Sequence, residues 1–75
     1  MGEMAIMDRV AGDLKVIWDP DNEDEVAAAR AQFDTLRGKG YLAYTVGDRG
    51  RKGTQIRAFD AAAEKMILAP PLVGG

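Results

Sequence analysis

The sequence predicts an α+β domain in which one helix covers one face of a small mixed sheet of four to five strands. Three observations carry that expectation. Val26, Ala29, Phe33 and Leu36 recur at gaps of three, four and three, which draws a single apolar stripe along a helix. Leu14-Lys15-Val16-Ile17-Trp18 and Lys65-Met66-Ile67-Leu68-Ala69 are short apolar runs of strand length. Only one stretch has the helical period, so several strands must share one helix as their cover.

Taken in order, Met4 to Val10 is apolar enough to be a first strand, with Ala11-Gly12-Asp13 as the turn. Residues 1–8 read equally well as a flexible leader, and both readings stay open. In the next strand Leu14, Val16 and Trp18 alternate with Lys15 and Asp19, while Ile17 falls on the second face. Both sides of that strand are therefore expected to be partly covered. Trp18, the sole tryptophan, is expected to anchor helix to sheet against Phe33.

Pro20 ends the strand. Asn22 stands three residues before Glu25, the spacing of an N-cap with a reciprocal side-chain bond. Glu23, Asp24 and Glu25 place negative charge in the first turn, where the helix dipole favours it. The helix is expected over about residues 23–37, with Arg37 near its end and Gly38 or Gly40 as the left-handed cap. Tyr41 to Val46 reads as a strand with Leu42, Tyr44 and Val46 on one face, so Tyr41 and Tyr44 have opposite parity. A loop over 47–53, a strand from Thr54 to Phe59, a tight connection from Asp60 to Glu64 and a last strand from Lys65 to Ala69 complete one domain over residues 1–75.

Composition removes whole classes of function. With no cysteine there is neither a disulfide nor a thiol nucleophile. With no histidine the commonest general base and most catalytic metal geometries are gone, so the chain is not expected to be an enzyme. A net charge of −2 and a pI near 4.9 give no electrostatic reason to expect nucleic acid. No apolar run reaches the roughly 20 residues of a membrane span, and no signal-peptide pattern opens the sequence. A cytoplasmic, non-membrane domain is expected.

Arg49, Arg51 and Lys52 lie among Gly47, Gly50 and Gly53, a candidate contact for an anion or an acidic partner. The pattern is not a P-loop, because no Gly-Lys-Ser/Thr opens a helix, and a solvated hairpin tip explains it more simply. The acidic run Asp19, Asp21, Glu23, Asp24 and Glu25 lacks the glycine and ligand spacing of a calcium loop; helix capping accounts for it, and no metal is expected.

The sequence ends Pro70-Pro71-Leu72-Val73-Gly74-Gly75. A diproline holds an extended conformation and cannot continue a strand ladder, so residues 70–75 are expected to leave the folded body as a tail. Two residues without a Cβ pass through a slot too narrow for others. The element order, the apolar strand Met66-Ile67-Leu68-Ala69 and the Pro-Pro-x-x-Gly-Gly ending together resemble the ubiquitin-like β-grasp carriers. Among these, the small subunit of molybdopterin synthase and the thiamine sulfur carrier are the nearest in pattern. The close match covers about the last 17 residues, and Asp60-Ala61-Ala62-Ala63-Glu64 departs from the acidic, glycine-bearing turn usual in that family.

The resemblance implies a β-grasp fold and a chemistry done at the chain end. Gly75 would be the residue whose carboxylate an ATP-using activating enzyme adenylates, with Gly74 keeping the channel clear. Pro70, Pro71, Leu72 and Val73 would be held by the partner. The carboxylate would then become a thiocarboxylate for sulfur transfer, as in molybdopterin biosynthesis, or be conjugated to a lysine as in protein modifiers. The acceptor would be a synthase large subunit or another protein, with no cofactor bound by this chain. Two rival readings stay open. One is a non-catalytic protein-interaction module, operon- or phage-encoded, with an idle Gly-Gly tail. The other is a small nucleic-acid binder using the basic 47–53 loop and a tyrosine face.

Overall fold

A computed structural model describes residues 1–8, 12–46 and 52–71. Five strands and one helix follow in the order β1 (Gly2–Ile6), β2 (Leu14–Trp18), α1 (Glu23–Gly38), β3 (Leu42–Val46), β4 (Lys52–Ile56) and β5 (Lys65–Ala69). The strands form one sheet in the order β2-β1-β5-β3-β4. β1 and β5 run parallel, and the other neighbours are antiparallel. This is the β-grasp arrangement: a hairpin, a helix laid across the sheet, and a last strand inserted beside the first.

The core lies between α1 and one sheet face. Met4, Ile6, Trp18, Ala43, Met66 and Leu68 point inward from the strands, and Ala29, Phe33 and Leu36 meet them from the helix. Burying a large apolar side chain of this kind contributes about 1.5–3 kcal/mol. No polar or charged residue is buried among the described residues. Phe59 joins the two layers, its ring centroid 5.0 Å from that of Trp18 and 5.8 Å from that of Phe33. The expected direct pairing of Trp18 with Phe33 is thus mediated by Phe59. The indole Nε1 donates to the carbonyl of Ala61 at 3.1 Å, so the bulky ring also satisfies its one polar group.

Both helix ends follow their local chemistry. Asn22 Oδ1 accepts from the backbone N–H of Asp24 and of Glu25, each at 3.1 Å. Glu25 reaches back, but to the Asn22 side-chain amide and to the Asp19 N–H rather than to the Asn22 N–H, which instead bonds the Asp19 carbonyl. At the other end Gly40, not Gly38, takes the left-handed conformation with φ +94°. Its N–H bonds the Arg37 carbonyl, and the Tyr41 N–H bonds the Leu36 carbonyl, the paired bonds of a Schellman cap.

Several strand expectations are corrected. Among the described residues the first strand is Gly2–Ile6, starting two residues before the expected Met4, and it lies between β2 and β5; Arg9 and Val10, where it was expected to end, lie outside the described residues. A Cβ at Gly2 would fall inside the Trp18 ring, which is why a weak strand former stands there. Ile17 does not meet a second layer: it is 54 % exposed, because among the described residues nothing covers the sheet face away from α1. The fourth strand is Lys52–Ile56 rather than Thr54 to Phe59, since Phe59 leaves the ladder to pack against Trp18 and Phe33. Lys52 and Gly53, expected in a loop over 47–53, therefore belong to a strand, and residues 47–51 lie outside the described residues.

Candidate functional site

The proposed tail begins where the sheet is best supported. β5 is flanked by β1 on one side and β3 on the other, with register pairs Ile6–Leu68 and Ala43–Leu68. The N–H of Met7 donates to the Leu68 carbonyl at 2.9 Å and extends the parallel pairing towards that end. Ladder bonding stops at Ala69, and Pro70 and Pro71 follow, both half-buried.

Pro71 rests on the end of α1. A Cβ at Gly40 would lie 3.5 Å from the Pro71 Cβ, ordinary van der Waals contact, so the proline ring sits over this glycine. Arg37 Nη1 donates to the Tyr41 carbonyl at 2.7 Å, bracing the turn that Gly40 makes. Arg37 Nε is buried without a hydrogen-bond partner. The helix cap and the diproline thus meet at Gly40 and Pro71. In the sequence Gly40 reads only as a candidate cap; its contact with Pro71 arises from tertiary packing and has no local signal.

The remaining candidate residues are distributed as follows. Leu72, Val73, Gly74 and Gly75 lie outside the described residues, as do Arg49 and Arg51. Lys52 opens β4, its backbone in register with Val46. Tyr41 packs against the core and Tyr44 has the opposite parity, so the two do not share a face on which bases could stack. The acidic residues after Trp18 serve the helix entry: Asp19 Oδ1 accepts from the Asp21 N–H at 2.9 Å, and Glu25 closes the cap. Among the described residues no group of three or more acidic side chains is placed to hold a metal ion. Among them too, no helix is long and apolar enough to cross a membrane.

The uncovered sheet face was not foreseen as a surface. Register places Ile17 beside Glu3, Lys15 and Ile67 on either side of Ala5, and Tyr44 beside Ile67. Leu42 and Ala69 pair on the same face. Glu3 sits between two lysines, its carboxylate oxygens 3.6 Å from Lys15 Nζ and 3.6 Å from Lys65 Nζ. Strand alternation over residues 42–46 carried the signal for this face, but not which side α1 would take. Compared with models of known families, with curated proteins and with solved structures, the chain gives no match to any of them.

Proposed function

We propose that this protein is a carrier or modifier of the ubiquitin-like kind, whose Gly75 carboxylate is activated by a partner enzyme. The observation that carries the reading is the combination of a β-grasp sheet with a diproline at the end of its inserted strand, followed by Leu72-Val73-Gly74-Gly75. In support of the reading, the strand that precedes the proposed tail is paired on both sides, and Pro71 lies against Gly40 at the end of the helix.

The reaction asks nothing of the side chains of this chain. A Gly75 carboxylate oxygen attacks the α-phosphorus of ATP bound to the partner; the bond to the β-phosphate breaks and pyrophosphate leaves. The acyl-adenylate then loses AMP to a nucleophile at its carbonyl carbon. Hydrosulfide gives a thiocarboxylate, and a lysine amine gives an amide and releases a proton. Activation is required because a carboxylate would have to expel oxide, whereas the adenylate expels a stable phosphate monoester.

Intact mass spectrometry of protein taken from its native host tests this reading. The exchange of one oxygen for sulfur, or a series of heavier protein conjugates, is expected, and deletion of Gly74 and Gly75 should abolish both. A chain whose mass remains that of the free acid, and which forms no adenylate with ATP and candidate activating enzymes, would refute it.

A further inference from the structure

We propose that the free edge of β2 docks an extended, cationic peptide segment, which joins the sheet as a sixth strand. The inference does not depend on the tail, because no residue after Lys65 enters it. The two sheet edges differ in a way that favours one of them. At the β4 edge the register slips between Tyr44 and Val46, leaving an extra residue near Gly53, where a Cβ would strike the Thr45 carbonyl. A bulge of this kind twists an edge away from further pairing. β2 is instead in unbroken register from Leu14 opposite Ile6 to Trp18 opposite Gly2, and among the described residues β1 is its sole partner in the sheet. Its outer backbone groups are those an added strand bonds.

The side chains of β2 suit such a strand. Leu14 is 46 % exposed on the helix side and Ile17 54 % exposed on the other, so an incoming strand gains an apolar contact on each face. A depression of about 600 Å³ adjoins Ile17, lined by Met1, Gly2, Glu3, Glu64 and Lys65. It is open enough for the stem of a long side chain.

Charge selects the occupant. Asp13 precedes the strand and Asp19 follows it, with Asp21, Glu23, Asp24 and Glu25 close behind in sequence. The one cation on the strand, Lys15, already faces Glu3 at 3.6 Å. A second copy fits badly in the registers that overlap all of residues 13–19: antiparallel pairing centred on Val16 sets Asp13 opposite the other copy's Asp19 at both ends. In-register parallel pairing sets Lys15 against Lys15. Like charges placed directly opposite are destabilising. A segment of about seven residues reaches from one aspartate to the other at roughly 3.3 Å per residue. With lysine or arginine at both ends and alternating apolar residues between, it meets a carboxylate at each end.

The test uses the full chain, labelled with ¹⁵N, and three heptapeptides. The first is Lys-Val-Thr-Val-Thr-Val-Lys, the second carries Glu at both ends, and the third has proline at its centre. The lysine peptide is expected to shift amides of residues 13–19, to slow hydrogen exchange along β2, and to bind about tenfold more tightly than the glutamate peptide at low salt. That gap should narrow as salt screens the exposed charges, and the proline peptide should bind more weakly than the first. Asp13→Asn with Asp19→Asn should narrow the gap while leaving the thermal melt in place, since asparagine keeps the oxygen that accepts from the Asp21 N–H. Equal binding of the two charged peptides would overturn the proposal, as would shifts centred on another element or no binding at millimolar peptide. A free protein that sediments as a dimer with protected β2 amides would overturn it in favour of a second copy.

Discussion

Replacing Gly2 by alanine is the sharpest probe of how the sheet is built. The added Cβ would occupy the space of the Trp18 indole, a ring with no exposed surface. That ring has nowhere to retreat: Phe59 stands 5.0 Å from it, centroid to centroid, and its Nε1 holds the Ala61 carbonyl at 3.1 Å. If the structure absorbs the methyl by small shifts, overpacking costs about 1–3 kcal/mol. If the indole is expelled, roughly 200 Å² of apolar surface returns to water at about 25 cal/mol per Å², near 5 kcal/mol. An intermediate response of about 3 kcal/mol is expected, a large part of the roughly 4–11 kcal/mol available to a domain of this size. Urea unfolding, with a slope of about 1 kcal/mol per molar, should show the midpoint falling by about 3 M. Trp18 emission in the folded state should move to longer wavelength. Gly38→Ala is the control: this position is helical with nothing within 4 Å of the added atom, so alanine should stabilise by about 0.5 kcal/mol. A Gly2→Ala protein with an unchanged midpoint and native emission would refute the placement of Trp18 over β1.

Phe59→Ala removes the ring that joins Trp18 to Phe33 and should cost about 3–5 kcal/mol by denaturant unfolding, although the residue lies outside every strand and the helix. Asn22→Ala should cost about 1 kcal/mol, because the N–H groups of Asp24 and Glu25 lose their acceptor; circular dichroism melts would detect it. Glu3→Gln ends both ion pairs with lysine on the uncovered face, yet the lysines are about half exposed, so the change should stay below about 1 kcal/mol and shrink with added salt.

The elements that were legible in the sequence are those whose signals are local. The stripe Val26, Ala29, Phe33, Leu36 and the Asn22–Glu25 spacing place a helix within one residue of its observed end, because period and cap chemistry act within a few turns. Lys65–Ala69 agrees with its expected bounds, since Glu64 and Pro70 bracket an apolar run. What failed depends on distant residues. Gly2 reads as a poor strand residue until Trp18 is known to lie over it. Phe59 reads as the end of a strand until the space between Trp18 and Phe33 is known. Ile17 reads as half-covered because an apolar residue on the second face suggests a second layer, and one helix can supply only one. Of the candidate site, the diproline was legible as a strand stop, whereas its seat on Gly40 was not: no spacing rule links residues 40 and 71.

The two proposals occupy separate parts of one sheet, and the register says how near they come. Ile6 pairs with Leu14 of β2 on one side and with Leu68 of β5 on the other. Two strand spacings, about 10 Å, therefore separate the Leu14 end of β2 from the place where the tail begins. A partner that holds the tail need not touch β2, but an activating enzyme of ordinary interface size would span both. Saturating the chain with the lysine-ended heptapeptide separates these cases. If activation at Gly75 proceeds unhindered, the β2 edge serves a different partner from the activating enzyme. If the peptide raises the KM for this chain and leaves kcat alone, the same enzyme reads both, because the lost contact then contributes to docking and not to the chemistry.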